Sequence, residues 1–328
     1  MVTIDDLVSE YHDAVSNEDW TRDFSDLIND LEPSQFENKL DPKNYFLSSL
    51  GIEYQHPPRI ERDRGEGSLQ SHVQSLLYLQ SLGVTKLGKV VARLPEVLGL
   101  SVKDSLQPHV DYLNGVGVVD IGKVITSFPQ IFSYSIENTL RPRVDYLKKL
   151  GVIDIGKVIT KLPNILCYSI EDHLQPHVDY FKELGVVDIG KVITKLPQIF
   201  SYNIENTLQP HIDYLGGLGV TEIGEVITKY PQILGLSIDD NLKPTVDYLM
   251  DECYASVKDI EDSPMLVGFS LAKRIKPLHA FLNYKGIKVG SDLAVGKMLT
   301  NNDKHFAEKT AHAGYDEWMK FREDFIVQ

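Results

Sequence analysis

A period of 34 residues constrains the fold of this chain more than any other feature of its sequence. Two sets of prolines recur at that spacing, except for a last step of 33 residues. The first set is Pro95, Pro129, Pro163, Pro197, Pro231 and Pro264. The second set follows thirteen residues later in each copy and is Pro108, Pro142, Pro176, Pro210, Pro244 and Pro277. A period of about 20–50 residues is typical of stacked repeats, in which each copy buries its apolar face against its neighbours.

Each copy is predicted to contain a long helix, a short helix and a 3₁₀ turn. A Ser or Asn suited to a helix N-cap precedes apolar residues at helical spacing, such as Leu140, Val144 and Leu147. Gly151 and its equivalents suit the end of this helix, whereas the second proline should kink or restart it. The expected caps of the short helices are Thr85, Asp120, Asp154, Asp188 and Thr221.

Five of the short helices contain a glycine, which indicates close approach to another helix; these are Gly88, Gly122, Gly156, Gly190 and Gly224. The proline after this helix precedes a segment too short for a further helix, so a 3₁₀ turn that buries Ile131 and Phe132 is expected. The sequence therefore predicts an all-α fold, a curved solenoid of about 34-residue repeats.

The composition excludes several classes of protein. Cys167 and Cys253 are too few for a disulfide scaffold or a cysteine-rich metal site. No window approaches the roughly 20 apolar residues that a membrane-spanning helix needs. There is no phosphate-binding glycine loop and no His, Cys and Asp constellation outside the repeat positions. The sequence therefore predicts no enzyme activity, cofactor, metal, membrane association or small-molecule substrate.

The acidity of the chain is concentrated near its N-terminus. The net charge of the 328 residues is −14, and residues 1–68 alone contain 16 Asp and Glu against 6 Lys and Arg. We interpret residues 1–54 as an acidic, partly helical N-terminal segment and residues 55–68 as a linker. Residues 69–290 contain the repeats, and residues 291–328 are expected to form capping helices. Because the repeats are nearly balanced in charge, the overall acidity does not exclude binding to nucleic acid.

Two positions four residues apart carry cations in most of the short helices, and this spacing places them on one face. The first-slot lysines are Lys89, Lys123, Lys157 and Lys191, and Glu225 occupies this slot in the fifth copy. The second-slot cations are Arg93, Lys161, Lys195 and Lys229, and Ser127 occupies this slot in the second copy. At helix spacings of about 8–10 Å, they predict two parallel rows roughly 40–50 Å long. Such rows suit a phosphate backbone, which attracts positive charge without requiring a particular side chain.

Further candidates for phosphate contacts lie in the long helices and in the last repeat. The long helix of the third copy adds Arg141 and Arg143. Lys273, Arg274 and Lys276 form the densest basic cluster of the chain, and we expect this cluster to be exposed.

Other interpretations apply to three sets of repeated residues. The slot cations could instead pair with aspartates of the long helices, namely Asp111, Asp145, Asp179, Asp213 and Asp247. We interpret His109, His177 and His211 as solvated surface residues, because repeat spacings near ~10 Å prevent them from sharing one zinc ion. Repeated tyrosines are expected to pack between repeats rather than stack on bases, and these are Tyr112, Tyr146, Tyr180, Tyr214 and Tyr248.

Two stretches carry a resemblance to a known family. They are "SIENTLRPRVDYLKKLGV" followed by "IGKVITKLPNIL", and the last repeat, "SPMLVGFSLAKRIKPLHAFLNYKGI". Both resemble the mTERF repeat, found in relatives of the mitochondrial transcription termination factor in mitochondria and plastids. The resemblance covers roughly residues 69–310. It implies a curved helical solenoid, located in an organelle, with a basic concave groove that binds double-stranded DNA or structured RNA without catalysis or cofactor.

The sequence therefore predicts a non-catalytic nucleic-acid-binding protein of a mitochondrion or plastid, acting in transcription termination, transcription regulation or RNA processing. Its expected partners are duplex DNA or structured RNA, together with organellar transcription or ribosomal proteins. The alternative is a protein-binding scaffold subunit of a larger organellar assembly, a polymerase or a ribosome, which the acidic balance and the closely similar repeats favour. Because the acidic N-terminus is unlike a transit peptide, we expect the targeting segment to be absent from this chain.

Overall fold

A computed structural model describes residues 69–327, and the structural statements that follow concern this part of the chain. The predicted N-terminal segment 1–54 and linker 55–68 lie outside the described residues. Residues 69–327 form helices and turns without any strand, apart from an isolated bridge between Val289 and Leu293. The predicted all-α repeat fold is confirmed.

The helices of the repeats alternate between long and short. In chain order they are α1 (Leu69–Ser81), α2 (Leu87–Arg93), α3 (Gln107–Gly115), α4 (Ile121–Ser127), α5 (Arg141–Lys149), α6 (Ile155–Lys161), α7 (Gln175–Glu183), α8 (Ile189–Lys195), α9 (Gln209–Gly217), α10 (Ile223–Lys229), α11 (Lys243–Asp251), α12 (Val257–Asp262) and α13 (Lys276–Tyr284). Odd numbers are the long helices and even numbers the short ones. Three further helices follow, α14 (Val295–Thr300), α15 (Asp303–His305) and α16 (Tyr315–Val327).

Each short helix is followed by a 3₁₀ turn that begins at a proline of the first set. The 3₁₀ turns are Pro95–Gly99, Pro129–Ser133, Pro163–Cys167, Pro197–Ser201, Pro231–Gly235 and Pro264–Gly268. Ile131 and Phe132 are buried in the second of them, as predicted. Most apolar residues of these turns belong to the core, where Ile199 and Phe200 are fully buried, although Met265 of the last turn is exposed.

A wide helical turn precedes each long helix from α3 to α13. These π-helical turns are Val102–Leu106, Ile136–Leu140, Ile170–Leu174, Ile204–Leu208, Ile238–Leu242 and Leu271–Ile275. In the fourth, the backbone N–H of Leu208 donates to Asn203 O five residues earlier, and the Asn203 side chain caps the turn. The long helix then begins at Gln209 with Pro210 in its first turn, where a missing N–H is tolerated. The expectation that the second proline restarts the helix is therefore confirmed.

Glycines permit the predicted close approach of successive copies. A Cβ atom on Gly190 of α8 would lie 2.4 Å from the carbonyl carbon of Gly151, which ends α5 in the left-handed region at φ 85°. The same pairing joins Gly224 to Gly185, at 2.2 Å. Real Cβ atoms do not approach a backbone this closely, so these positions of α8 and α10 accept only glycine.

The expected caps of the short helices are confirmed in three copies and wrong in two. Asp120, Asp154 and Asp188 accept a hydrogen bond from the backbone N–H three residues later. In contrast, α2 and α10 begin after Lys86 and Glu222, and neither side chain caps its helix. The two threonines do not cap because they lie one residue further from the helix.

The chain divides into two compact units. Among the described residues, one comprises 69–146 and 154–168, and the other comprises 147–153 and 169–327. In the first unit α2 contacts α4 and α4 contacts α6, and in the second unit α8 contacts α10 and α10 contacts α12. Within each unit the short helices therefore stack in chain order.

The last helices pack through an aromatic cluster. The ring of Phe281 in α13 lies 5.2 Å from that of Trp318 and 5.1 Å from that of Phe321, both in α16. Trp318 and Phe306 are buried at 4.9 Å from each other. No helix within residues 69–327 is long and apolar enough to cross a membrane.

Candidate nucleic-acid interface

The first-slot lysines project into solvent from the short helices. Lys89, Lys123 and Lys157 belong to the first unit and Lys191 to the second, and all four are exposed. The backbone N–H groups of the last three are held by the capping aspartates, each at 2.9 Å. Within the described chain their ammonium groups form no hydrogen bond or ion pair. The ammonium groups of the four lysines are therefore available to bind an external anion, and the backbone of Lys123, Lys157 and Lys191 is held in place by the capping aspartates.

The aspartates of the long helices are engaged within their own helices. Gln107 donates to Asp111 at 2.8 Å, and the equivalent glutamines donate to Asp179 at 2.7 Å and to Asp213 at 2.8 Å. Each pair spans four residues, one turn of helix. The alternative pairing between slot lysines and these three aspartates is therefore not formed.

The second-slot cations cap the next short helix of the same unit. Arg93 Nη1 donates to Ser127 O at 2.7 Å, and Lys195 Nζ donates to Lys229 O at 2.7 Å. Lys229 Nζ donates in turn to Glu261 O at 2.9 Å. These acceptors belong to the last turns of α4, α10 and α12, where helical carbonyls lack internal partners and the helix dipole favours a cation.

The second slot is also less favourable for positive charge. Burial lowers the pKa of Lys161, and the neighbouring Lys157 lowers it further. Burial and Lys191 lower the pKa of Lys195 in the same way. Lys161 is nevertheless exposed like the first-slot lysines, whereas Lys195 is half-buried.

Arg141 is paired with a carboxylate of its own copy. It forms two hydrogen bonds with Glu137, both at 2.8 Å, and its guanidinium lies 5.6 Å from the centre of the Tyr112 ring. The hydrogen bond from Arg141 lowers the pKa of the Glu137 carboxyl. Because this pair is exposed, a phosphate group can reach the guanidinium only in competition with Glu137.

The interpretation of His109, His177 and His211 as solvated surface residues is wrong. All three are buried, and each imidazole places its nitrogens beside two backbone carbonyls. In His211, Nδ1 lies 2.8 Å from Thr207 O, four residues earlier, and Nε2 lies 2.7 Å from Leu236 O, twenty-five residues later. The histidines therefore join a long helix to the loop that begins the next copy.

Arg143 occupies the same position as these histidines and makes the same connections. Its guanidinium donates to Thr139 O and to Tyr168 O, each at 3.2 Å. The side chain is half-buried. Arg143 thus has a packing role in addition to the phosphate contact predicted for it.

The repeated tyrosines pack between copies where the structure gives their partners. Tyr180 donates to Gln209 of the next copy at 3.0 Å, and the hydroxyl of Tyr248 lies 2.9 Å from His279 Nδ1. Burial raises the pKa of Tyr214 and of Tyr248 to about 12. These hydroxyls therefore remain protonated at neutral pH.

The basic cluster of the last repeat is only partly exposed. Lys273 and Lys276 are exposed, but the Arg274 side chain is 25% exposed and donates to Leu299 O at the end of α14. It also forms an ion pair with Asp303 at 3.2 Å. The expectation that the whole cluster is exposed is wrong for Arg274, because this side chain joins the last repeat to the helices after it.

Two features were not predicted from the sequence. One is the capping by second-slot cations, although their place in the last turn of each short helix is a signal for it. The other is a set of aliphatic side chains that are 95–96% exposed, Val119, Ile153 and Val187. They occupy equivalent positions, two residues after the glycine that ends each long helix.

The described part of the chain contains no group of three or more His, Cys, Asp or Glu side chains arranged to hold a metal ion.

No curated protein matches the chain with significance. The mTERF family model matches residues 33–307, which is most of the sequence. This match agrees with the repeated helices and 3₁₀ turns, and the chain belongs to the mTERF family.

Proposed function

We propose that this protein binds nucleic acid without catalysis through its first-slot lysines, and that it acts in transcription termination, transcription regulation or RNA processing in a mitochondrion or plastid. Membership of the mTERF family points to a nucleic-acid-binding organellar regulator. The choice of duplex DNA or structured RNA as the ligand is part of the proposal.

One observation carries the proposal. The first-slot lysines are exposed and have no internal partner within residues 69–327, while three of the aspartates considered as partners, Asp111, Asp179 and Asp213, accept hydrogen bonds from glutamines. A repeated cation without an internal partner suits contacts with phosphates, which contribute affinity irrespective of base sequence. The first unit carries three first-slot lysines and the second unit carries one, Lys191, so each unit can contribute to binding.

The test replaces Lys123, Lys157 and Lys191 with Gln and measures affinity for duplex DNA and duplex RNA over a range of salt concentrations. Each lost duplex contact should reduce the slope of log affinity against log salt by about 0.9, so the triple variant should lose about 2.7. Because these contacts do not read bases, affinity should fall to a similar extent for unrelated sequences.

A charge-matched control uses three other exposed lysines outside the short helices, Lys103, Lys149 and Lys182, replaced with Gln. This variant carries the same net charge as the test variant, so a general effect of charge would appear in both. An unchanged salt slope in the folded test variant, or an equal loss in the control, would contradict the proposal.

A second candidate function, a protein-binding scaffold in an organellar polymerase or ribosome, is favoured by the exposed aliphatic residues. Val119, Ile153 and Val187 are almost fully exposed at equivalent positions of three copies, and a repeated apolar side chain at the surface suits contact with a partner protein. Replacing all three with Ser should abolish cosedimentation with nuclease-treated organellar ribosomes or polymerase if this function is correct. Binding to nucleic acid should be unaffected in the same variant.

A further inference from the structure

A cleft of about 600 Å³ lies near the C-terminal end of the second unit. Its polar lining consists of Asp292, together with Lys297, Asn301, His305, Lys309, Thr310 and His312 from α14, α15 and the segment after them. Lys297, Asn301, His305 and Lys309 come, in that order, from α14, the extended residue after it, α15 and the π-helical turn after α15, and the fold brings them together around the cleft. The volume falls within the range of about 300–1,000 Å³ that is common for small-molecule sites.

The charge of the lining favours an anion. The side chains of Lys297, Lys309, His305 and His312 are exposed and form no hydrogen bond or ion pair within the described residues. Lysine is a cation at neutral pH, and an imidazole donates one hydrogen bond when neutral and two when charged. The cleft therefore presents several donors that the fold itself does not use.

Two acidic groups of this region, Asp292 and Asp303, already have partners within the fold. Asp292 also lines the cleft, but its carboxylate accepts the backbone N–H of Lys288 and the hydroxyl of Ser291, each at 3.0 Å. These hydrogen bonds lower its pKa, so it stays ionised and opposes an anion with one charge. Asp303 lies outside the lining and is paired with two guanidiniums, those of Arg274 and Arg322.

The remaining lining is apolar and suits a ligand that is not purely ionic. Ile287 and Leu293 contribute apolar surface beside the cations.

Two polar residues of the lining have a defined local conformation. His312 is held in the left-handed region at φ 50°, an uncommon conformation for residues other than glycine. Asn301 is fixed by a hydrogen bond to Lys297 O at 2.9 Å, which positions the amide at the edge of the cleft.

We propose that this cleft binds a phosphomonoester through Lys297, Lys309, His305 and His312. A phosphomonoester carries up to two negative charges and three acceptor oxygens, which matches several donors around one space. The group is present in a free nucleoside monophosphate and at the 5′-phosphorylated end of a nucleic-acid strand. The site is independent of the first-slot lysines, so it does not depend on the function proposed above.

The test is calorimetric titration of the full chain with adenosine 5′-monophosphate and, separately, with adenosine. The nucleotide should bind and adenosine should bind at least about tenfold more weakly, since charged hydrogen bonds to phosphate contribute most of the affinity. Replacing Lys297 and Lys309 with Gln should weaken nucleotide binding by about tenfold or more. Equal binding of adenosine, or no binding of the nucleotide by the folded protein, would overturn the proposal.

A matched control replaces Lys304 and Lys320 with Gln, because both are exposed and neither lines the cleft. This variant should bind the nucleotide like the unmodified chain, and an equal loss in both variants would overturn the assignment of the site. If the cleft variant does not fold, Lys309→Gln alone replaces it, and unchanged affinity in that variant would also overturn the proposal.

The source of the phosphomonoester is decided with two short single strands of one sequence, one 5′-phosphorylated and one with a 5′-hydroxyl. Preference for the phosphorylated strand, lost in the cleft variant, supports a nucleic-acid end as the ligand. Equal binding of the strands together with nucleotide binding supports the free nucleotide. Replacing the three first-slot lysines should leave binding of adenosine 5′-monophosphate unchanged, which separates failure of this proposal from failure of the proposed function.

Discussion

Replacing His211 with Ala should destabilise the junction between two successive repeats. The imidazole is 8% exposed, and its nitrogens lie within hydrogen-bond distance of Thr207 O and Leu236 O. Leu236 immediately precedes Ser237, the N-cap of the next π-helical turn. The side chain therefore connects α9 and its preceding turn to the start of the following copy.

The expected loss follows from the groups left without partners. A hydrogen bond contributes about 1 kcal/mol to stability, and a buried carbonyl left unpaired costs about 1–3 kcal/mol. A neutral imidazole has one N–H and donates to one of these carbonyls at a time, so His211→Ala removes one hydrogen bond and leaves one carbonyl without its donor. We expect His211→Ala to lower the free energy of unfolding by about 2–4 kcal/mol.

The chain contains its own matched control for this prediction. The turns Ile136–Leu140 and Ile204–Leu208 have identical sequences, but the first is followed by Arg143 and the second by His211. Arg143 donates to two carbonyls at positions equivalent to those that His211 contacts. His211→Arg should therefore cost less than about 1 kcal/mol, since both carbonyls then have a donor.

The measurement is urea unfolding followed by circular dichroism, with His211→Phe as a further variant that keeps a ring but no donor. The Phe variant should unfold at a urea concentration close to that of the Ala variant, with the slope against urea unchanged. If His211→Ala unfolds like the unmodified chain, or if His211→Arg is destabilised as much as His211→Ala, the carbonyl contacts do not hold the junction.

Two further predictions concern glycines and thiols. Gly190→Ala should lower the free energy of unfolding by about 1–3 kcal/mol, because the added methyl group meets backbone atoms of the preceding copy. Gly216→Ala should raise the free energy of unfolding by about 0.5–1 kcal/mol, because there is open space around Gly216 and alanine favours the helix. Equal urea midpoints for the two variants would contradict this prediction. Burial raises the pKa of Cys167 to about 11 and that of Cys253 to about 12. At pH 8 both thiols should therefore react with a disulfide reagent at least about a hundredfold more slowly in the folded chain than in urea, and equal rates would contradict the burial.

Local features of the repeat could be predicted because their causes lie within a few residues. The N-caps such as Asn203, the restart at Pro210 and the glycine contact of Gly190 follow from propensity and period alone. The caps of α2 and α10 could not be placed to the residue, since helix ends shift by one position without changing the pattern.

The positions of polar side chains between copies could not be predicted. A histidine at an apparently polar position of the sequence gave no sign that two carbonyls of different copies enclose it, as they enclose His211. Similarly, Lys195 and Arg274 look like free surface cations until the helix ends that they cap are placed beside them. Pattern analysis assigns a residue to a face of its own helix, but burial depends on which backbone groups the neighbouring copy brings to that face.

The fixed offsets of the contacts between copies have a consequence for how such a chain changes in length. His211 and the residues equivalent to it contact a carbonyl 25 residues later in the chain. Second-slot cations such as Arg93 and Lys195 contact a carbonyl 34 residues later, and Gly190 of a short helix contacts Gly151, 39 residues earlier. Each of these contacts involves an adjacent copy and no copy beyond it. Duplication of one whole 34-residue copy therefore supplies both partners of every new contact between copies. Insertion of part of a copy would separate these carbonyls and glycines from the residues that they contact. The fold can grow or shrink only in whole units of its own repeat.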